Sequence, residues 1–261
     1  MTGRKRPPSQ RQNAKRQPAG DTHYLYGIHA VATALANPER RSHRLVATDN
    51  ALQRLKEQGA PVSIDAETQS ARDITRLIGP DAVHQGALLY CDPLPDLELE
   101  TVLEPDSAQR RLMLVLDQIT DPHNIGAILR SAAAFSADGL IMTARHAPGE
   151  TAVLAKTASG GLEHVPIYRV RNLANAMEQL KTAGFQVAGL DETGSVALDT
   201  LEFAPSTALV LGAEGKGLRQ KTLATCDHIA RLDMPGAITS LNVSNAAALA
   251  LYIASRRLIP V

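Results

Sequence analysis

The sequence predicts an α/β protein whose larger part is a doubly wound, mostly parallel sheet with helices on both faces. Three observations carry this. Short, unbroken apolar runs recur between residues 112 and 211, as in strands covered on both faces. Apolar residues at helical spacing fill the intervals between them. Polar clusters follow the runs directly, where the carboxyl ends of parallel strands collect ligands.

The runs are Leu112–Leu116, Leu140–Met142, Val165–Ile167, Phe185–Ala188 and Ala208–Leu211, and the main helical stretches are 125–135, 172–183 and 243–257. Upstream, a smaller α/β pattern occupies residues 21–91. There Ile28–Leu35 has helical spacing and stops at Asn37-Pro38, because proline disfavours helix in the residue before it. Arg44–Thr48 and Val62–Ile64 read as strands, and Ala51–Gln58 reads as a helix ended by Gly59. Ala71, Ile74, Leu77 and Ile78 mark another helix face, and Ala87–Tyr90 is an apolar strand after His84-Gln85-Gly86. Residues 92–110 hold Pro93, Pro95 and Pro105 among six acidic side chains. Proline and like charges predict an extended linker lying off either core. The domain reading is therefore a tail (1–20), a small domain (21–91), a linker (92–110) and a large domain (111–261).

Composition narrows the function. The chain has 261 residues, 44% hydrophobic and 21% charged, which is ordinary for a globular protein. Aromatics make up 3%, with no Trp, which argues against an RNA-binding face of many stacked rings. Two distant cysteines, Cys91 and Cys226, give neither metal spacing nor a disulfide framework, and point to a reducing compartment. No apolar run approaches the roughly 20 residues of a membrane span, and the basic start lacks the apolar core of a secretory signal. A cytoplasmic protein without membrane contact is expected.

Net charge is zero, yet unevenly spread. Residues 1–20 hold Arg4, Lys5, Arg6, Arg11, Lys15 and Arg16 and no acid, which leaves 21 basic against 27 acidic residues elsewhere. Such arms bind polyanions by releasing condensed counterions, or serve only to solubilise the chain. If RNA is bound, the tail should add affinity without choosing the site, because phosphate contacts carry no sequence information.

Three clusters carry the chemistry. Asp121-Pro122-His123-Asn124-Ile125-Gly126-Ala127-Ile128-Leu129-Arg130-Ser131 follows the first run, with Asn124 placed to cap a helix and Arg130 six residues on. Leu211-Gly212-Ala213-Glu214-Gly215-Lys216-Gly217-Leu218 has three glycines in six residues, so backbone can approach a ligand closely. Its spacing is neither that of a P-loop nor GxGxxG, although Asp233 falls where a ribose-binding acid would. Met234–Asn245 offers Ser240, Asn242 and Ser244 ahead of an alanine-rich helix, where one cap would suffice. Singly, each reads equally as a cap or a tight turn, and a dinucleotide site stays open.

Together, in order and spacing, the three clusters resemble the signature motifs of the SpoU/TrmH group of SPOUT methyltransferases, over residues 112–257. Residues 24–90, including His84-Gln85-Gly86, look like the substrate-recognition domain of large-subunit (23S-type) rRNA guanosine 2′-O-methyltransferases. The resemblance implies a C-terminal trefoil knot, S-adenosylmethionine as methyl donor, a ribose 2′-hydroxyl of structured RNA as acceptor, and a homodimer. It implies cofactor contacts at Gly212, Leu232 and Leu241, and an active site of Asn124, Arg130, Glu214, Ser240 and Asn242. Asp233 departs from the proline common in the family before Met234. No metal is required, and no second carboxylate is spaced to join Glu214 as a ligand. Arg130 stays protonated in proteins, so a phosphate grip and alkoxide stabilisation suit it better than proton abstraction. His123 lacks an orienting partner in the sequence and reads as a loop residue. A tRNA ribose methyltransferase of the same family and a non-catalytic RNA-binding or assembly protein are the alternatives.

Overall fold

A computed structural model of the chain describes residues 23–95, 97–103, 110–145, 147–238 and 240–258. The basic tail, Glu104–Asp106 of the acidic segment, and Thr239 lie outside these.

The first part runs β1 (Tyr24–Tyr26), α1 (Ile28–Ala36), β2 (Ser42–Ala47), α2 (Asp49–Glu57), β3 (Ala66–Thr68), α3 (Ala71–Ile78) and β4 (Ala87–Cys91). Its sheet order is β1-β4-β2-β3, with β4 antiparallel to β1 and β2, and β2 parallel to β3. The strand expected at Val62–Ile64 is absent. Pairing with β2 begins instead at Ala66, opposite Leu45, because the turn after α2 and Pro61 delays the extended register. In β4, Leu88 and Tyr90 pack with Ile74 and Val46 on one face, while Leu89 faces Leu25, Leu45 and α1 on the other.

Residues 97–103 of the expected linker do not stay off the core. Leu97 bridges to Tyr168, and Leu99 is buried beside Met113 and Ile141 ahead of a single turn, α4 (Glu100–Leu103). Its apolar residues outweigh the charges flanking them, since burying one such side chain yields about 1.5–3 kcal/mol.

The second part runs β5 (Arg111–Asp117), α5 (Pro122–Ala134), β6 (Gly139–Thr143), α6 (Ala152–Ala158), β7 (Ile167–Val170), α7 (Leu173–Thr182), β8 (Gln186–Leu190) and β9 (Val196–Ala197). It continues with β10 (Ser206–Gly212), α8 (Gln220–Thr225), β11 (His228–Arg231) and α9 (Val243–Leu258). The sheet order is β7-β6-β5-β10-β8-β11-β9, and every pairing is parallel. Alternation along β5 shows the double winding. Leu112, Leu114 and Leu116 join the core under α5 and α9, while Met113 and Val115 face Leu173, Met177 and Leu180 of α7.

The two parts meet at a polar seam. The buried Arg40 pairs with Glu150 and, at 2.5 Å, with Glu163, which also accepts from Asn37 at 2.7 Å. Gln85, in a left-handed conformation (φ 54°), accepts from the Ile28 N–H at the start of α1 and from Lys156 of α6.

Candidate active site

The three sequence clusters converge at the carboxyl ends of β5, β8 and β10. β10 ends on Gly212, in register with Asp117 at the end of β5. The following loop folds tightly on itself. The Lys216 and Gly217 N–H groups donate to the Ala213 carbonyl at 3.2 and 2.9 Å, and Gly215 and Gly217 take positive φ. Gly212 admits no side chain, because an added Cβ would lie 2.2 Å from the Gly217 carbonyl carbon. This close approach is the physical reason for the glycine density.

The loop forms one wall of a cavity of about 490 Å³, within the roughly 300–1,000 Å³ range of small-ligand sites. Gly212, Leu232 and Leu241 line it, as do Glu214 and Ser240. Leu190, which ends β8, and Asp191 and Glu192 just after it line the cavity too and were missed in the sequence. The signal that could have found them is Gly189-Leu190-Asp191-Glu192-Thr193-Gly194-Ser195, a polar, glycine-bearing stretch directly after the Phe185–Ala188 run. Asp191 is held by the Thr193 N–H and hydroxyl at 3.0 and 2.6 Å.

Beside the cavity, Asn242 links the other two motifs. Its side-chain amide donates to Asn124 Oδ1 at 3.1 Å and to Glu214 Oε2 at 3.4 Å. Its oxygen accepts from the Ser244 N–H at 2.9 Å and the Ser244 hydroxyl at 2.6 Å, which caps α9. One asparagine thus starts a helix and joins the three clusters.

One expectation needs correction. Asn124 does not cap α5. Asp121 does, accepting from the His123 N–H at 2.9 Å, because Pro122 at the first helical position moves the boundary upstream. Asn124 sits within the first turn, free to meet Asn242. Glu214 accepts from Asn242, which ties its loop to the third cluster. The Arg130 side chain is exposed and makes no hydrogen bond or ion pair among the described residues. Six residues at 100° each turn it about 120° around α5 from Asn124. Asp233, considered as a ribose-binding acid, is exposed and pairs with Arg231 at 2.8 Å. His123 is exposed. Among the described residues no group of three or more His, Cys, Asp or Glu side chains could hold a metal, and no helix is long and apolar enough to cross a membrane.

S-adenosylmethionine fits this cavity on chemical grounds. Backbone of the 212–217 loop and apolar Leu190, Leu211, Leu232, Leu241 and Val243 suit a purine, and Asp191, Glu192 and Glu214 suit a cationic ligand.

Residues 111–252 match the model of the SpoU rRNA Methylase family. An uncharacterized tRNA/rRNA methyltransferase of Synechocystis sp. is 36% identical over 239 residues, covering 87% of this chain, which spans 61% of that protein's length. The 23S rRNA (guanosine-2'-O-)-methyltransferase RlmB of Coxiella burnetii is 33% identical over 239 residues, covering 89% of this chain and 95% of that one. Among solved structures, the SpoU methyltransferase AviRb of Streptomyces viridochromogenes, in complex with AdoMet, is 25% identical with a TM-score of 0.73, covering 91% of this chain and 90% of that one. With the matched region spanning β5 to most of α9, and a relative 33% identical over nearly the whole chain, the chain belongs to the SpoU rRNA methylase family.

Proposed function

We propose that this protein transfers the methyl group of S-adenosylmethionine to a ribose 2′-hydroxyl of structured RNA, a guanosine of large-subunit rRNA. The observation that carries the reading is the junction of Asn124, Glu214 and Asn242 beside the glycine-walled cavity, which Glu214 also lines.

When bound, the cofactor supplies an electrophilic methyl on a sulfonium, whose positive charge disperses as the methyl leaves. The protein's task is alignment, and positioning of this kind contributes up to about 7–11 kcal/mol. Gly212, Leu232 and Leu241 hold the donor, while Asn124, Asn242 and Ser240 orient the ribose, with Glu214 fixing Asn242. Arg130 stays charged, grips the phosphate beside the target and stabilises the developing alkoxide. The proton passes to phosphate or water. The C-terminal trefoil knot belongs to this reading, because the loops at 190–192, 211–217 and 232–241 that line one cavity are those a threaded C-terminus would bring together.

The first sheet, with exposed Arg41, Lys56 and Arg72, serves as the RNA-recognition domain, assisted by the basic tail. The protein acts as a homodimer, and the alanine face of α9 is turned inward. Ala247, Ala250 and Ala254 are fully buried within one chain, against its own core. The opposite side exposes Asn245, Leu249, Tyr252 and Arg256, and its two large apolar side chains, 46% and 52% exposed, support an interface there. The two unpaired thiols support a cytoplasmic setting.

Mapping ribose methylation in RNA from a strain lacking the gene tests the substrate. The reading expects one 2′-O-methylguanosine to vanish from large-subunit rRNA. Loss from tRNA instead would reassign the substrate, and an unchanged map would contradict the activity.

A further inference from the structure

Behind the cavity lies a buried charge that the mechanism above does not use. Asp117, the last residue of β5, has no exposed surface, and both its oxygens are fully engaged. Oδ1 accepts from Arg219 Nε and Nη2, each at 2.7 Å. Oδ2 accepts from the Arg219 backbone N–H at 3.1 Å and the Thr222 hydroxyl at 2.6 Å.

These partners matter because of where they stand in the chain. Arg219 is the residue at which the glycine-rich loop ends, and Thr222 belongs to α8 directly after it. The loop begins at Gly212, which pairs with Asp117 itself across the sheet. One residue therefore holds the entrance of the cofactor loop by strand pairing and the exit by four charge-assisted bonds. On its other side the chain leaves through Gln118, a non-glycine residue in the left-handed region (φ 60°), toward Asp121 and Asn124. Asp117 stands where the two motif loops diverge. A carboxylate at such a depth is unfavourable unless fully paired, and an apolar residue would fill the space without directing anything.

We propose that Asp117 is a positioning residue, which sets the shape of the 212–217 loop through Arg219 and Thr222 without touching cofactor or RNA. This rests on the cavity being the S-adenosylmethionine site.

The test uses the full-length protein and three readouts: S-adenosylmethionine affinity by calorimetry, kcat at saturating cofactor, and hydrogen exchange of the loop. Asp117→Asn turns one of the two acceptor oxygens into an NH2 that faces two donors. It should weaken cofactor binding at least about tenfold, the scale of losing one bond to a charged group, and leave kcat at saturation little changed. The Lys216 and Gly217 amides should exchange faster, while those of α3 in the first sheet's layer keep wild-type rates. Should Asp117→Asn fail to fold, Thr222→Val removes a single bond and should show the same pattern with a smaller loss, about three- to tenfold. A lower melting temperature with unchanged affinity and unchanged loop exchange would assign Asp117 a merely structural role and overturn the proposal. A loss of kcat at unchanged affinity would overturn it as well. If the wild-type protein does not bind S-adenosylmethionine, the functional reading fails, and loop exchange in the variants still decides whether Asp117 shapes the loop.

Discussion

Gly212→Ala probes the cofactor wall most sharply. The added Cβ would sit 2.2 and 2.3 Å from the Gly217 carbonyl carbon and oxygen, and 2.5 Å from the Leu218 nitrogen. Ordinary contacts between carbon atoms lie at about 3.5–4.0 Å, so the loop must lift by more than about an ångström. All three atoms are backbone, so no side chain can rotate out of the way. Overpacking of this kind costs about 1–3 kcal/mol. If that cost falls on the binding-competent loop, affinity for S-adenosylmethionine drops about 5- to 150-fold. Gly236→Ala is the control. It lies in the 232–241 loop, outside the left-handed region, with nothing within 4 Å of the new Cβ, and should stay within about twofold of wild type. Calorimetric titration of both variants, with thermal melts alongside, reads the difference. Wild-type affinity in Gly212→Ala would refute the close-approach argument, whatever the melts show.

Arg130→Ala should leave cofactor affinity nearly intact and slow methylation at least about 100-fold, the scale of losing one charge-stabilising donor. Arg130→Lys should be impaired at every pH, and alkaline recovery to the wild-type rate would identify a general base instead. Burial holds the His84 imidazole below its ordinary pKa of 6.5, with Nδ1 accepting from the Gly86 N–H and Nε2 bonded to the Thr75 hydroxyl. The unfolded chain takes up that proton first, so this contribution is whole above pH 6.5 and is lost as pH falls toward the lowered value. Urea melts should show His84→Asn less stable at neutral pH but flatter than wild type below it, and parallel pH profiles would exclude the effect. Sedimentation at micromolar concentration should give a dimer for the wild type and a shift toward monomer for Leu249→Asp, whereas a monomeric wild type would contradict the interface.

The sheet was legible because its strands are covered on both faces. Runs such as Leu112–Leu116 and Ala208–Leu211 leave little choice of structure, and both pair as parallel strands. Short strands with little burial were not legible. The partly exposed Ala66–Thr68 has no apolar run, and Val196–Ala197 and His228–Arg231 are defined mainly by their neighbours. The same holds within the site. Glycine spacing announced the 212–217 loop, but Asp117 reads as the polar end of an apolar strand until Arg219 and Thr222 are brought to it from more than a hundred residues away. The seam joining the two sheets was equally hidden, since nothing local marks Arg40 for burial between Glu150 and Glu163. Asn242 could be read as a cap, whereas its bonds to Asn124 and Glu214 depend on three strands ending together.

The central claim is methyl transfer from S-adenosylmethionine to a ribose oxygen. It is tested most directly by incubating the purified protein with methyl-labelled S-adenosylmethionine and unmodified large-subunit rRNA, then digesting to nucleosides for mass spectrometry. The account predicts label in 2′-O-methylguanosine alone, lost when Asn242→Ala breaks the junction with Asn124 and Glu214. Label on a base, or none with the cofactor bound, would contradict it.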